Sequence, residues 1–331
     1  MKKILSWFAC LFLVLALTSG SKVTTVFVIG DSTAAEKGNA KNNPERGWGM
    51  VLQSCFDDKI IVDNHAVNGR SSKSFIDEGR WQKVLDQLKP GDYVFIQFGH
   101  NDEKPHADRH TDPGSTFDAN LERFVKETRA KGGIPVLFNS VVRRCFYQAP
   151  VENDDDEKLR KTTFAGEEKI NSDTLIDTHG AYVVAPRNVA HHLNVPFVDA
   201  TKITHDIETE LGIEGSRKLH MWFRPGECSQ IPKGRQDNTH YNVYGARLIA
   251  NALADEIGKQ VPELKKHVRH YDYVVSTRGR GNYFTLQDAV DAVPAGNRVK
   301  VLVLDGSWKK PENMKGKKIK FILQFGAKIT D

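Results

Sequence analysis

A serine hydroxyl attacks an ester carbonyl only when a neighbouring base accepts its proton, and histidine does this near neutral pH. Four short segments of this 331-residue chain hold residues suited to that chemistry. Gly30-Asp31-Ser32-Thr33 follows an apolar, β-branched run, which sets the Ser32 hydroxyl at a strand-to-helix turn beside free backbone N–H groups. Asp237-Asn238-Thr239-His240 places a carboxylate three residues ahead of an imidazole, on a turn before a helix. At that spacing Asp237 can fix the tautomer of His240 and stabilise its charged form. Asn64–Ser71 and Phe98–Asp102 follow two further apolar runs. The tetrahedral intermediate of acyl transfer needs donors aimed at its oxyanion. The Ser32 N–H, the Gly69 N–H and the Asn101 side-chain amide are the candidates, each worth roughly 3 kcal/mol by analogy with a measured oxyanion-hole asparagine. Singly these are ordinary turn sequences, the Asn68-Gly69 pair above all. All four occur in order, however, and three directly follow a predicted strand. Asp31 and Asp102 read as turn braces, His100 as a pocket-shaping residue and His65 as a packed strand residue. His191 and His192 end a helix, where charge complementarity to the helix dipole accounts for them.

The elements that must position these residues are legible as alternating patterns. Val23–Ile29, Ile60–Asn64, Tyr93–Phe98, Ile134–Phe138 and Val195–Val198 are short apolar runs bounded by Gly, Pro, Asn or Asp. Helical periodicity lies between or after them, at Trp48–Phe56, Ser74–Leu88, Thr116–Lys131, Ala181–Leu193 and Tyr241–Ile257. Continuous apolar strands alternating with helices predict an α/β fold with a parallel sheet covered on both faces. In such sheets the site lies outside the carboxyl ends of the strands, where three of the four segments fall.

Ser32, Gly69, Asn101 and His240, in this order, resemble the SGNH (GDSL-type) hydrolases over roughly residues 22–260, with Thr33 in place of the leucine of the GDSL pattern. GDST, NGRSS, FGHND and DNTHYNVYGA together resemble the rhamnogalacturonan acetylesterase branch. That resemblance implies a three-layer α/β/α, flavodoxin-like fold and removal of acetyl groups from pectic rhamnogalacturonan. It implies Ser32 as nucleophile, His240 as base, Asp237 as its partner, and Ser32, Gly69 and Asn101 as the oxyanion hole. It implies no metal and no cofactor. Arg70, Arg143, Arg144, Arg224, Lys233 and Arg235 lie near the same loops, and guanidinium forks match carboxylates such as those of galacturonate. Arg70, Arg143, Arg144 and Arg235 are therefore the candidate substrate-binding residues. Two alternatives stay open: an SGNH esterase acting on acetylated xylan or acyl lipids, and a non-catalytic pectin-binding protein.

Composition and charge narrow the setting. Hydrophobic residues make up 39% and charged residues 27%, as in globular proteins. The formal charge is +5, but residues 272–331 alone hold 11 basic against 6 acidic side chains. Lys2 and Lys3 hold two further charges, so the middle of the chain is mildly acidic and no global attraction to a polyanion follows. Met1-Lys2-Lys3, the apolar run Ile4–Leu17 and Thr18-Ser19-Gly20-Ser21 predict a signal peptide at residues 1–20 and an exported, periplasmic or extracellular protein. The run is 14 residues long, shorter than the ~18 of a membrane-spanning helix. No membrane association is expected after cleavage, nucleic acid is excluded as a partner, and a monomer is expected. Cys55, Cys145 and Cys228 remain, as buried thiols or as one bridge plus a thiol. No cysteine or histidine spacing marks a metal site.

The expected order is a catalytic domain at 21–266, with a polar, acidic insertion at 151–177, then a linker at 267–272 and a separate segment at 273–331. That last segment, with Tyr273–Ser276, Gly281–Pro294 and Val299–Trp308, resembles the opening of a pectin methylesterase, a right-handed parallel β-helix. Its Thr277-Arg278-Gly279-Arg280 turn departs from that family's acidic, glycine-rich turn. The family's catalytic aspartates, glutamines and arginine lie beyond Asp331, so the segment reads as truncated and no methylesterase activity is expected. A solenoid needs about three stacked units to bury its core, so one or two coils are not expected to stand alone: either the chain is truncated or the segment docks on the catalytic domain.

Overall fold

The computed structural model describes residues 23–148 and 164–331. The leader expected at residues 1–20 and the 151–163 part of the acidic insertion lie outside the described residues.

Five strands form one parallel sheet: β1 (Thr24–Gly30), β2 (Ile60–Asn64), β3 (Tyr93–Gln97), β4 (Ile134–Phe138) and β5 (Phe197–Val198), in the order β2-β1-β3-β4-β5. Each matches an expected run, the fifth cut to two residues. Side chains alternate between two cores. Val26, Val28 and Phe95 face one; Phe27, Ile29, Val94 and Ile96 face the other.

Helices cover both faces. α1 (Trp48–Val51) continues as a 3-10 turn, Leu52–Cys55, and joins the first core. The helix expected over Ser74–Leu88 is instead two: α2 (Ser72–Asp77) and α3 (Arg80–Leu85). Gly79 separates them with a left-handed φ of 67°, a conformation that ends a helix turn. α4 (Thr116–Ala130) and α5 (Ala181–Leu193) cover the same side, where Phe117, Leu121 and Phe124 meet Phe75 and Trp81. α6 (Ala200–Arg217) has no counterpart among the expected elements; its pattern is broken at Gly212, whose φ of 65° and ψ of −173° are not helical. β6 (His220–Phe223) and β7 (Arg235–Tyr241) form an antiparallel pair outside the main sheet. α7 (Val243–Gln260) returns across the first core with Ile249, Leu253 and Ile257, and α8 (Pro262–Lys265) follows.

Strand order reverses between β1 and β3, so the chains leaving these two strands diverge and open a crevice at their carboxyl ends. Ser32 lies there, two residues past β1.

Residues 267–272, expected as a linker, are bonded down. Phe56 bridges Val268, His267 meets Asp57 at 3.0 Å, and Arg247 donates to the Tyr271 carbonyl at 2.5 Å. Beyond them β8 (Tyr273–Val275), α9 (Leu286–Ala292), β9 (Arg298–Val303), β10 (Ser307–Lys309), β11 (Lys318–Leu323) and β12 (Lys328–Thr330) pair only in parallel, as β11-β9-β8 and β10-β12. Val275, Leu286, Val301 and Val303 form their own small core. The segment docks on the main body, where Gln324 donates to the Phe56 carbonyl at 3.1 Å and Arg46 Nε to the Gly279 carbonyl at 2.8 Å. Cys55, Cys145 and Cys228 are free thiols. Among the described residues no helix is long and apolar enough to cross a membrane.

α7 starts against a carbonyl with no room to move. A Cβ on Gly245 would stand 2.0 Å from the Leu219 carbonyl oxygen, which already accepts the Asn242 N–H at 2.9 Å. Gly245→Ala should therefore cost roughly 2 kcal/mol through a forced backbone shift. A clear drop in the thermal midpoint is expected; an unchanged midpoint would show that the helix start is free to slide.

Candidate active site

Ser32 and Asp237–His240 lie about two hundred positions apart in sequence, and the fold brings them into line. Ser32 Oγ is 2.9 Å from His240 Nε2, and His240 Nδ1 is 2.9 Å from Asp237 Oδ2. Because a carboxylate only accepts, the Nδ1 side carries the proton, which leaves Nε2 to accept from the Ser32 hydroxyl. Asp237 Oδ1 also accepts the Thr239 and His240 N–H groups, both at 3.0 Å. Burial pushes the Asp237 carboxyl up, but the His240 charge and these hydrogen bonds outweigh it and hold the group at about 2. It stays ionised across the working range.

These residues reach the site by different means. Asp31 closes the turn after β1: its Oδ1 accepts the Thr33 N–H at 2.9 Å and the Thr33 hydroxyl at 2.8 Å. Thr33, where the GDSL pattern has leucine, thus contributes a turn bond. Asp237–His240 does not sit on a pre-helix turn, as expected, but within β7. There Met221 pairs with Asp237 while His220 pairs with Tyr241, so Asn238, Thr239 and His240 bulge from the ladder. A bulge re-aims side chains, and this one turns the imidazole to Ser32.

The three expected oxyanion donors follow three neighbouring strands. Gly69 has a φ of 73°, which permits the tight turn after β2. Asn101, 2% exposed, donates through Nδ2 to the Arg70 carbonyl at 3.2 Å and so lies against that turn. Among the described residues no acceptor meets the Ser32 or the Gly69 N–H. Asp102 anchors the loop after β3 by accepting from Gly99 N–H, Ser72 N–H, Ser72 Oγ and Thr111 Oγ1 at 2.5–3.1 Å. Burial pushes its carboxyl up to about 7.

The candidate arginines separate. Arg144 is corrected: it is 1% exposed, and its guanidinium donates to Ser216 Oγ, Glu168, Asn238 Oδ1 and the Ile213 carbonyl at 2.5–3.0 Å. It braces the bulge beside Asp237 and has no face for a ligand. Arg143 is paired with the buried Glu103 and donates to the Thr178 hydroxyl. Arg70 and Arg235 are partly exposed; Arg70 meets both oxygens of Glu78 at 3.1 Å, and Arg235 stands 3.7 Å from Glu45. His100 is fully buried against His179, with ring centroids 4.4 Å apart, and burial keeps it well below the usual histidine range. His65 pairs with Asp63 at 3.0 Å, partly buried. Among the described residues no group of three His, Cys, Asp or Glu could hold a metal ion.

Two buried charge clusters beside the site went unseen in the sequence. One joins Lys37 to Glu45 at 2.8 Å, the other joins Glu103 to Arg143 and His179. Neither has a spacing signal: Lys37 and Glu45 meet across a single irregular loop, and Glu103, Arg143 and His179 come from separate loops. Burial pushes the Glu103 carboxyl up, but the His179 and Arg143 charges and hydrogen bonds pull it down to about 2. A depressed carboxyl stabilises the fold fully above its unfolded value of about 4.5, and the stabilisation is lost as pH falls toward 2. Glu103→Gln should thus cost about 3 kcal/mol at neutral pH. Thermal midpoints of the two proteins should converge below about pH 4.5; a gap independent of pH would refute the assignment.

A model of the GDSL-like Lipase/Acylhydrolase family matches residues 28–248. Rhamnogalacturonan acetylesterase RhgT of Bacillus subtilis (strain 168) is 36% identical over 247 residues, which is 75% of this chain and 95% of that protein. The probable rhamnogalacturonan acetylesterase YesY of the same organism is 30% identical over 240 residues, 72% of this chain and 93% of its own. The crystal structure of Bacillus subtilis protein YxiM overlays with a TM-score of 0.54 at 22% identity, covering 72% of this chain and 56% of that one, a likeness of fold. The match to the family spans more than half of the sequence, and the chain belongs to the GDSL-like lipase/acylhydrolases, hydrolases that act on ester bonds.

Proposed function

We propose that the protein is a serine esterase that removes O-acetyl groups from pectic rhamnogalacturonan through an acetyl-enzyme intermediate. The in-line contacts of Ser32, His240 and Asp237, both 2.9 Å, carry this proposal. The similarity to two proteins described as a rhamnogalacturonan acetylesterase and a probable one supports the substrate. Ser32 Oγ attacks the acetyl carbonyl while His240 Nε2 takes its proton, and Asp237 stabilises the imidazolium. The oxyanion receives the Ser32 N–H, the Gly69 N–H and the Asn101 amide. The sugar oxygen leaves with the proton from His240. Water, deprotonated by His240, then attacks acetyl-Ser32; as the ester bond breaks, His240 returns the proton to Ser32 Oγ, and acetic acid leaves and ionises to acetate. Arg70 and Arg235, both partly exposed, are the arginines suited to galacturonate carboxylates.

The same proposal reads residues 1–20 as an export leader and residues 273–331 as the opening of a β-helix. Uniform parallel pairing and inward valines support the latter.

Acetate release from acetylated rhamnogalacturonan and acetylated xylan, and nitrophenol release from long-chain nitrophenyl esters, test the substrate. The first should be preferred; preference for either other class would move the assignment to that class. Ser32→Ala should abolish release without loss of fold, and retained turnover would overturn the mechanism. Asp237→Asn should lower kcat by roughly 10⁴, the effect of the equivalent change in a serine protease; a drop under tenfold would remove Asp237 from the triad.

A further inference from the structure

Lys37 lies five residues past the nucleophile and has no place in the chemistry above, yet its side chain is only 2% exposed. A buried ammonium is costly unless it is paired and hydrogen-bonded. Its Nζ donates to the Ser32 carbonyl at 2.6 Å and to Asn68 Oδ1 at 2.7 Å, and it lies 2.8 Å from Glu45 Oε1. The first two acceptors belong to different turns, one after β1 and one after β2. Each adjoins an expected oxyanion donor: the Ser32 carbonyl is on the residue that supplies one N–H, and Asn68 immediately precedes Gly69, which supplies the other. Nearer the strands, the Val67 N–H donates to the Gly30 carbonyl at 3.0 Å.

We propose that Lys37 is a positioning residue of the active site: its ammonium ties the nucleophile turn to the Asn68-Gly69 turn and sets the spacing of the two backbone donors. Glu45 supplies the countercharge and holds the ammonium in place; Arg235, 3.7 Å from Glu45 Oε2, faces its other oxygen. The proposal rests on the assignment of Ser32 as nucleophile and Gly69 N–H as an oxyanion donor. Such donors matter most when charge develops on the carbonyl oxygen, so loosening them lowers kcat and leaves ground-state binding in place.

The test uses the full chain and 4-nitrophenyl acetate, which lacks any polysaccharide contact. Lys37→Met should lower kcat roughly 10- to 100-fold, less than or equal to loss of one whole donor, with KM within about twofold. Inhibition by a boronic acid, which forms a tetrahedral anion on the serine, should weaken in proportion to kcat. Lys37→Met with Glu45→Gln removes both buried charges together and should show the same loss in a folded protein. Asn68→Ala, which cuts one arm of the tie and keeps the buried pair, should lower kcat in the same direction. Wild-type kcat in the folded double variant or in Asn68→Ala would overturn the proposal, as would a loss matched by KM with boronate affinity unchanged. Ser32→Ala separates the two levels: turnover there refutes the esterase mechanism itself, whereas an inactive Ser32→Ala beside a fully active Lys37 variant refutes only the tie.

Discussion

The hydrogen bond from Ser32 to His240 closes a loop of 208 residues and can form only when almost everything between them is in place. Ser32 is set by β1, the strand at the centre of the order reversal. His240 is set by β7, which shares no ladder with the main sheet. The gap between them is bridged by backbone bonds and buried charge. Arg46 N–H donates to the Tyr241 carbonyl at 2.9 Å, and Glu45 bridges Asn242. From behind, His220 meets Glu208 at 2.9 Å with both side chains fully buried, and the Tyr241 ring lies 4.9 Å from the His220 ring. A pair that has left water this completely tolerates little displacement, because loss of one partner leaves an uncompensated buried group. The imidazole is thus aimed by its own bulge together with the scaffold packed behind it.

Much of this was readable in advance, for a definite reason. β1, β3 and β4 are buried on both faces along most of their length, and β2, at the sheet edge, on one, so their sequences are largely apolar runs, and the turns that follow them must hold the polar residues that no ladder accommodates. Ser32, Gly69 and Asn101 could be assigned to strand ends on that basis alone. β7 follows the opposite logic. Arg235-Gln236-Asp237-Asn238-Thr239-His240-Tyr241 is polar throughout, yet Asp237, Thr239, His240 and Tyr241 are buried, held by ladder bonds and by one another. No hydrophobic period marks such a strand. Arg144 misleads in the same way: its charge suggests a ligand, while its partners Glu168 and Ser216 lie 24 and 72 residues away and are joined to it only by the fold. α6 was hidden by the non-helical Gly212, and the break at Gly79 is a backbone property that the apolar pattern of Ser74–Leu88 does not register.

The segment after residue 272 bears on the site through one loop, residues 34–46. On one face of that loop Lys37 and Glu45 reach the turns around Ser32 and Asn68. On the other, Glu36 pairs with Arg280 at 2.9 Å and Arg46 donates to the Gly279 carbonyl. Arg46 is 1% exposed; burial lowers its guanidinium to about 10, and the Ala40, Asn43 and Glu45 carbonyls take its other donors at 2.5–2.8 Å. Gly279 sits so close that a Cβ there would stand 2.5 Å from Ala40 Cβ and 2.9 Å from Arg46 Nη2. The Thr277–Arg280 turn is therefore shaped to this loop. The basic excess of the segment divides accordingly. Arg280 has a partner on the main body, while Arg298 opposes Lys318 and Lys300 opposes Lys320 in the ladder between β9 and β11, with all four exposed. Like charges directly opposite weaken a sheet. The lysines thus cost the segment stability, while its docking arginine and glycine hold the loop that carries Lys37.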